Sequence, residues 1–415
     1  MSKNNVIELE GREANADLLT GLLQAGAHQL IEQAVEAELQ ELLARHATRR
    51  TESGHAGVVR NGYLPARELQ TSLGPVTVKI PKVRAKTGEP VTFQSAIVPP
   101  YIRKTRSLEA ALPWLYLKGI SSGEMGAALE VLVGPKAKGL SASTVSRLKQ
   151  AWGQEYRHWS DKRLELDQWV YVWADGVYSG LRAEREKLCA LVIIGVNERG
   201  EKHFLAIEDG VRESTQSWRE VLLKLKSRGM SAPRLAIGDG AMGFWAALEE
   251  VYPSTTDQRC WMHKTMNVLN CLPKSIQPKA KGALHSIWQA ETKAEAEKAF
   301  DLFITTYEAK YPKATLCLQK DREELMAFYD FPAKHWQSIR TSNPIESTFG
   351  TIRHRTKCSK GCLTRDGMLH MIFKLGMCAG KNWRRLRGFN YLAKVITGIK
   401  FKDGIEVTAI DQAAA

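Results

Sequence analysis

Two aspartates close apolar runs in the same manner. Asp175 follows VYVWA, Asp239 follows RLAIG, and a glycine stands directly after each, at positions 176 and 240. Open α/β sheets gather ligands where strands run out, and glycine there lets backbone or ligand come close. If the two strands are neighbours, both carboxylates enter one crevice and repel each other unless a cation or a shared proton intervenes. Mg²⁺ meets that need, because it takes a few carboxylate oxygens and keeps positions for water and phosphate. A third acid would complete a two-metal arrangement for in-line displacement at phosphorus. Glu346 is the candidate, the single carboxylate of the basic stretch RTSNPIESTFGTIRHRTKCSKG, residues 340–361. Each acid also has a plainer reading. Asp-Gly is a common turn dipeptide, and Asn343-Pro344-Ile345-Glu346 fits an N-cap, a first-turn proline and a capping-box acid. Capping leaves unexplained why the rest of that helix is only positive.

The charge distribution narrows the partner. The chain has 415 residues and a formal net charge of +14. From 347 to 402, thirteen Lys or Arg stand against Asp366 alone, and from 51 to 150 fourteen stand against six acids. The first fifty residues run the other way, with eight acids and five bases. A merely solvated face intersperses both signs, so this segregation points to a polyanion. A composition of 44% hydrophobic and 25% charged residues is that of globular protein, and the length suggests two to four domains. No apolar run approaches the roughly 18 residues of a membrane span, so no membrane partner is expected. The odd number of cysteines, seven, and a start without a basic n-region and apolar h-region lead to the expectation of reduced thiols in the cytoplasm.

The elements that must position the acids follow from hydrophobic periodicity. Residues 17–45 place Leu18, Leu22, Ile31, Val35, Leu39 and Leu42 at helical spacing, an amphipathic helix that buries its stripe against the body or another subunit. Leu73-Gly74-Pro75 turns a short hairpin in which Val76, Val78 and Ile80 alternate with polar residues. Between 107 and 151, helical stretches joined by a Gly-containing connection resemble a helix-turn-helix, whose second helix, from Ser143 to Lys149, would read a major groove. Three-helix packing alone gives the same pattern. From 168 the order becomes strand, strand, strand, helix, strand, helix, strand: an antiparallel meander, turned at Asn197-Glu198-Arg199-Gly200, extended by αβ units into a mixed sheet. Helices then interrupt from about 264 to 340, the clearest opened by Thr292 and Glu295 at capping-box spacing.

Arg60-Asn61-Gly62-Tyr63, Asp175-Gly176-x-Tyr178, Gly238-Asp239-Gly240-Ala241, Cys260-x-x-His263, and Asn343-x-x-Glu346-Ser347 with Arg353 and Arg355-Thr356 occur in this order. Together they resemble the mutator-type transposases of bacterial insertion sequences, over most of the chain. The resemblance implies a ribonuclease H-like catalytic core with an all-α insertion before the last acid, and a DDE triad of Asp175, Asp239 and Glu346 that is both catalytic and metal-binding. It implies an enzyme that binds the inverted repeats of its element, cuts a strand there and joins the freed 3′-hydroxyl to another phosphodiester. The cofactor implied is Mg²⁺, for which Mn²⁺ substitutes. Two element ends in one complex imply a homodimer or larger assembly on double-stranded DNA, in the cytoplasm and on the nucleoid. A non-catalytic DNA-binding regulator and a nuclease without strand transfer are the rival readings.

The expected organisation is an N-terminal helical region at 1–50, a basic hairpin region at 51–105 and a helix-turn-helix-like region at 106–160. The first part of the catalytic core follows at 168–263, the helical insertion at 264–340, the Glu346 helix with the basic C-terminal region at 341–402 and a tail at 403–415. Phosphate contacts are expected from Arg60, Arg103, Lys104, Arg147, Lys149, Arg353, Arg355, Lys357, Lys360, Arg384 and Arg385. Cys260 and His263 with Cys358 and Cys362 offer zinc-type ligands, but the pairings are loose and zinc is not expected. Tyr178, Cys260, His263 and Asn343 belong to the resemblance near the active site. Whether His263 meets a phosphate, orients a carboxylate or packs at a helix start stays open.

Overall fold

The structure, a computed structural model, describes residues 18–100, 102–105, 115, 120, 124–133, 142–180, 187–210, 212–240, 242–342, 346, 349, 350, 352 and 364–407. It falls into two compact units, Met1–Ser146 and Arg147–Ala415.

In the first unit, helix α1 (Leu18–Arg45) lies on a small β region. Strands β1 (Val58–Tyr63) and β4 (Pro81–Ala85) pair antiparallel, as do β2 (Arg67–Thr71) and β3 (Gly74–Val78). Thr71 faces Gly74 across the expected tight turn, and Val76, Val78 and Ile80 point inward while Thr77 and Lys79 point out. They bury Val35 and Leu39 of α1 together with Phe93 and Val98. Only the second half of the apolar stripe is used: Leu18 and Leu22 stay exposed. The β region is small enough that its apolar face meets α1 from Ile31 onward. Helix α2 (Met125–Val133) follows, and the expected turn to the next helix lies outside the described residues.

The second unit is built on a five-stranded sheet in the order β7-β6-β5-β8-β9. Strands β5 (Trp169–Gly180), β6 (Lys187–Asn197) and β7 (Lys202–Gly210) form the antiparallel meander, and β8 (Leu235–Gly238) and β9 (Thr256–Arg259) add parallel to β5. Helix α3 (Ala142–Ser160) leads into it, with Trp152 and Tyr156 buried and the Tyr156 hydroxyl donating to the Ile207 carbonyl at 2.9 Å. Both faces of β5 are covered, which is why it reads as a continuous apolar run. On one face Val172 and Ala174 join the core with Trp218, Val221, Leu222 and Leu225 of α4 (Thr215–Ser227) and Phe244, Trp245 and Leu248 of α5 (Met242–Val251). On the other face the Tyr171 hydroxyl meets His335 Nδ1 at 2.9 Å, and the Trp173 indole donates to the Ser338 carbonyl at 3.2 Å.

The helical stretch after β9 contains α6 (Trp261–Asn270), α7 (Gln277–Trp288), α8 (Lys293–Tyr307), α9 (Pro312–Gln319) and α10 (Arg322–Met326). Thr292 caps α8 as its spacing predicts, its side chain accepting from the Glu295 amide at 3.2 Å. Phe300, Phe303 and Tyr307 are core, while Trp288 is half-buried under the Arg340 guanidinium, 4.5 Å from the ring centre. After Glu346, helix α11 (Arg365–Gly380) packs on β7, and Trp383 stacks on Phe204 with ring centres 4.8 Å apart. No described helix is long and apolar enough to cross a membrane.

Candidate active site

Strand pairing brings the aspartates together. Ala174 pairs with Gly238 in the parallel ladder between β5 and β8, so Asp175 and Asp239 are the next residues on adjacent strands. The sequence reading ends the first strand at Asp175; in the structure β5 continues to Gly180. The reason is its two partners: β6 pairs with it out to Gly180, whereas β8 has four residues and stops at Gly238. Asp175 therefore lies where β8 runs out and β6 carries on. Side chains alternate along a strand, which puts Asp175 on the face of Tyr171 and Trp173, toward the segment that leads to Glu346.

Asp175 is buried, and its pKa is pushed up to about 7, first by burial and then by the charge of Asp239, with His263 opposing. Its Oδ1 accepts from the Gly176 amide at 2.8 Å. Asp239 is half-buried. Its carbonyl is held by the Trp245 indole at 2.9 Å and by Arg259 at 3.4 Å, while the Arg259 guanidinium stacks 4.1 Å over the Trp245 ring. These contacts fix the backbone that presents the second acid.

Glu346 arrives from far along the chain. Its amide donates to the Ser342 carbonyl at 3.1 Å, a helical bond, and residues 346, 349, 350 and 352 have helical backbone. The capping partner expected from the sequence, Asn343, lies outside the described residues. Glu346 Oε1 accepts from the Ser342 hydroxyl at 2.9 Å and lies 3.8 Å from His263 Nε2. His263 is pushed up to about 9, chiefly by its hydrogen bond to Cys260 against the cost of burial, with the charges of Cys260, Asp239 and Asp175 adding. His263 thus stands among the three acids.

Cys260 and His263 flank the start of α6, and Cys260 also ties the sheet to the Glu346 segment. The Cys260 amide donates to the Gly238 carbonyl at 2.7 Å, and its Sγ accepts from the Ser342 amide at 3.2 Å. The Trp261 amide donates to the Arg340 carbonyl at 3.0 Å. Burial opposes ionisation of the Cys260 thiol, but His263 and Ser342 outweigh it and hold the thiol below its usual value. The ligand atoms of Cys260, His263 and Glu346 lie within 4.8 Å of one another. Cys358 and Cys362, the other pair weighed for zinc, lie outside the described residues.

Two residues went unnoticed in the sequence. Ser342, fully buried, contacts Cys260, His263 and Glu346 at once. Glu213, in the loop before α4, is a fourth acid of this site: burial raises its pKa and Asp239 adds to the rise. Its carboxylate packs against Gly176, where a β-carbon would collide with it, and it is hydrogen-bonded to Tyr178. Gly243 lets α5 approach the backbone of the same loop, at residues 213–215. No local pattern marks either residue, because their roles depend on contacts between distant segments.

The residues expected to meet DNA are placed as follows. Arg60 pairs with Glu36 at 3.1 Å and lies over the Tyr63 ring. Arg103 is exposed and Lys104 half-buried beside Gln70. Arg147 is exposed on α3, which also carries Lys149. Arg384 and Arg385 are exposed, the latter 3.2 Å from Glu201. Arg353, Arg355, Lys357 and Lys360 lie outside the described residues.

The chain matches the model of the family described as Transposase, Mutator family, across residues 2–385. It is 50% identical over 282 residues to the transposase for insertion sequence element IST2 of Acidithiobacillus ferrooxidans, covering 68% of this chain and 95% of that one. It is 46% identical over 297 residues to the transposase for IS6120 of Mycolicibacterium smegmatis, covering 72% and 92%. Against the transposase for ISRM5 of Rhizobium meliloti it is 26% identical over 388 residues, covering 90% and 93%. Matches of this extent, with the acids and the Cys-x-x-His pair gathered at one sheet edge, place the chain in the Mutator family of transposases.

Proposed function

We propose that this transposase cuts DNA at the ends of its insertion sequence and transfers the strand it frees, using Asp175, Asp239 and Glu346 on a ribonuclease H-like core. The observation that carries the reading is the meeting of three distant segments: the paired ends of β5 and β8 deliver two acids, and Glu346 joins them through His263. A strand order of three antiparallel strands followed by two parallel ones, with a helical segment before the last acid, supports the fold.

The donor set suits hard divalent ions, since all three groups are carboxylates. Asp175 resists ionisation beside Asp239, and a cation is what relieves such a pair. Mg²⁺ bound by Asp175, Asp239 and Glu346, with Mn²⁺ as substitute, would lower the pKa of the attacking oxygen and stabilise the departing one. The chain's own residues supply the rest. Asp175 is shielded from solvent by its place inside the sheet. Asp239 is fixed through its carbonyl, and the charge of His263 offsets the crowding of acids. Arg60, Arg103, Lys104, Arg147, Lys149, Arg353, Arg355, Lys357, Lys360, Arg384 and Arg385 supply cations for the phosphate backbone. Two ends cut in one complex call for at least a dimer on DNA.

The test is strand cleavage and joining on DNA carrying the element's ends, with Mg²⁺ and without. Asp175→Asn, Asp239→Asn and Glu346→Gln should abolish both reactions and leave DNA binding intact. Cut ends that never join would mark a nuclease, and binding without any metal-dependent cutting would mark a regulator. A folded Glu346→Gln variant that cuts at full rate would reduce Glu346 to a helix cap.

A further inference from the structure

Cys260, His263 and Glu346 are, by residue type, three ligands for a zinc ion, yet the space between them is taken. The Ser342 oxygen lies 3.2 Å from Cys260 Sγ, 3.3 Å from His263 Nδ1 and 2.9 Å from Glu346 Oε1. These are hydrogen-bond separations around a side chain that is 1% exposed. A hydroxyl offers one proton and two lone pairs, enough for all three neighbours: the proton goes to Glu346, which leaves the lone pairs for the Cys260 and His263 side. The Ser342 amide adds a bond to Cys260 Sγ, while the Cys260 amide is anchored on the Gly238 carbonyl, one residue before Asp239.

We propose that Ser342 is a positioning residue: its hydroxyl, braced by Cys260 and His263, fixes the Glu346 carboxylate relative to Asp239. This rests on the catalytic reading of Glu346 and gives the Cys-x-x-His pair a task. Oε1 accepts from the serine, and the carboxylate keeps lone pairs for a cation. Groups that orient a metal ligand are worth about 10–100-fold in metal affinity or activity. Glu346 without its brace would have to be ordered by the ion itself.

The experiment is calorimetric titration of the DNA-free full chain with Mn²⁺, alongside strand cleavage across a range of Mn²⁺ concentrations and a melting curve for each variant. Ser342→Ala should melt cooperatively, bind Mn²⁺ at least about tenfold more weakly and regain much of its cleavage rate as Mn²⁺ is raised. Should that variant lose its cooperative melt, Cys260→Ala removes a brace while sparing the hydroxyl and carries the same expectation in the same direction. A folded Ser342→Ala protein that binds Mn²⁺ as the wild type does, while Glu346→Gln does not, overturns the positioning role alone. Wild-type and Glu346→Gln proteins with equal Mn²⁺ binding would overturn the metal reading of Glu346 and the positioning role together.

Discussion

His263 Nε2 stands 3.8 Å from Glu346 Oε1, although one residue opens the helical stretch and the other follows it. The imidazole is held near a pKa of about 9 by its hydrogen bond to Cys260, against burial, with further help from Asp239 and Asp175. Because the folded value exceeds the ordinary 6.5, its stabilisation is complete below that pH and drains away as pH rises through 9. In metal-free protein, His263→Gln should therefore cost about 1–2 kcal/mol near pH 6, discounted for partial exposure, and little near pH 10. Denaturant titration at both pH values reads the difference; an equal cost at each would mean that only packing was lost.

Asp175 answers to pH over a lower range. Its folded pKa, about 7, is above the ordinary 3.8 because of burial and then Asp239. Stability tied to it is intact below 3.8 and lost as pH climbs through 7. Asp175→Asn should stabilise the metal-free protein at pH 8 by on the order of 2 kcal/mol, a gain that shrinks toward pH 4. Thermal melts in chelator check this, and a destabilised variant at pH 8 would contradict it.

Gly176 and Glu213 share one space. A methyl at 176 would displace the flexible end of Glu213 rather than any backbone, so Gly176→Ala should stay folded within about 1 kcal/mol. If Glu213 serves the site, Gly176→Ala and Glu213→Ala should each slow cleavage by about tenfold or more, and the double variant should be no slower than Glu213→Ala. Single-turnover cleavage measures all three. Full activity in Glu213→Ala would make it a structural acid.

Lys264 and Asp321 form a buried ion pair, with side chains 5% and 10% exposed, and Lys264 also donates to the Cys317 carbonyl at 2.9 Å. The pair clamps α6, and so His263, onto the neighbouring α9 region. Arg259 also lies 4.0 Å from Asp321, so Lys264→Met should cost about 3 kcal/mol, and adding Asp321→Leu should recover none of it because Arg259 then loses its partner. Equilibrium unfolding of the single and double variants decides it.

The sequence made the sheet legible because its strands are short apolar runs separated by turn residues, and the capped helix at Thr292 because capping is local. Asp175 and Asp239 could be paired on paper since both follow such runs. What escaped the reading was set by partners rather than by local pattern. The extension of β5 past Asp175 depends on the length of β6, and the exposure of Leu18 and Leu22 on how far the β region reaches along α1. Trp383 stands among arginines in the sequence yet stacks on Phe204 of β7. Ser342 precedes the capping pattern that starts at Asn343, and its hydrogen bond to Glu346 has no signature of its own in the sequence.

The bonds from Trp261 to Arg340 and from Ser342 to Cys260 bring the two ends of the helical stretch together at one point. An inserted segment whose ends nearly touch asks little of the framework that hosts it. The stretch between 261 and 340 thus leaves and rejoins the sheet at a single point, while His335 and Ser338 within it cover one face of β5. Its outer helices can therefore differ in length while the bonds at that point keep Glu346 beside the sheet.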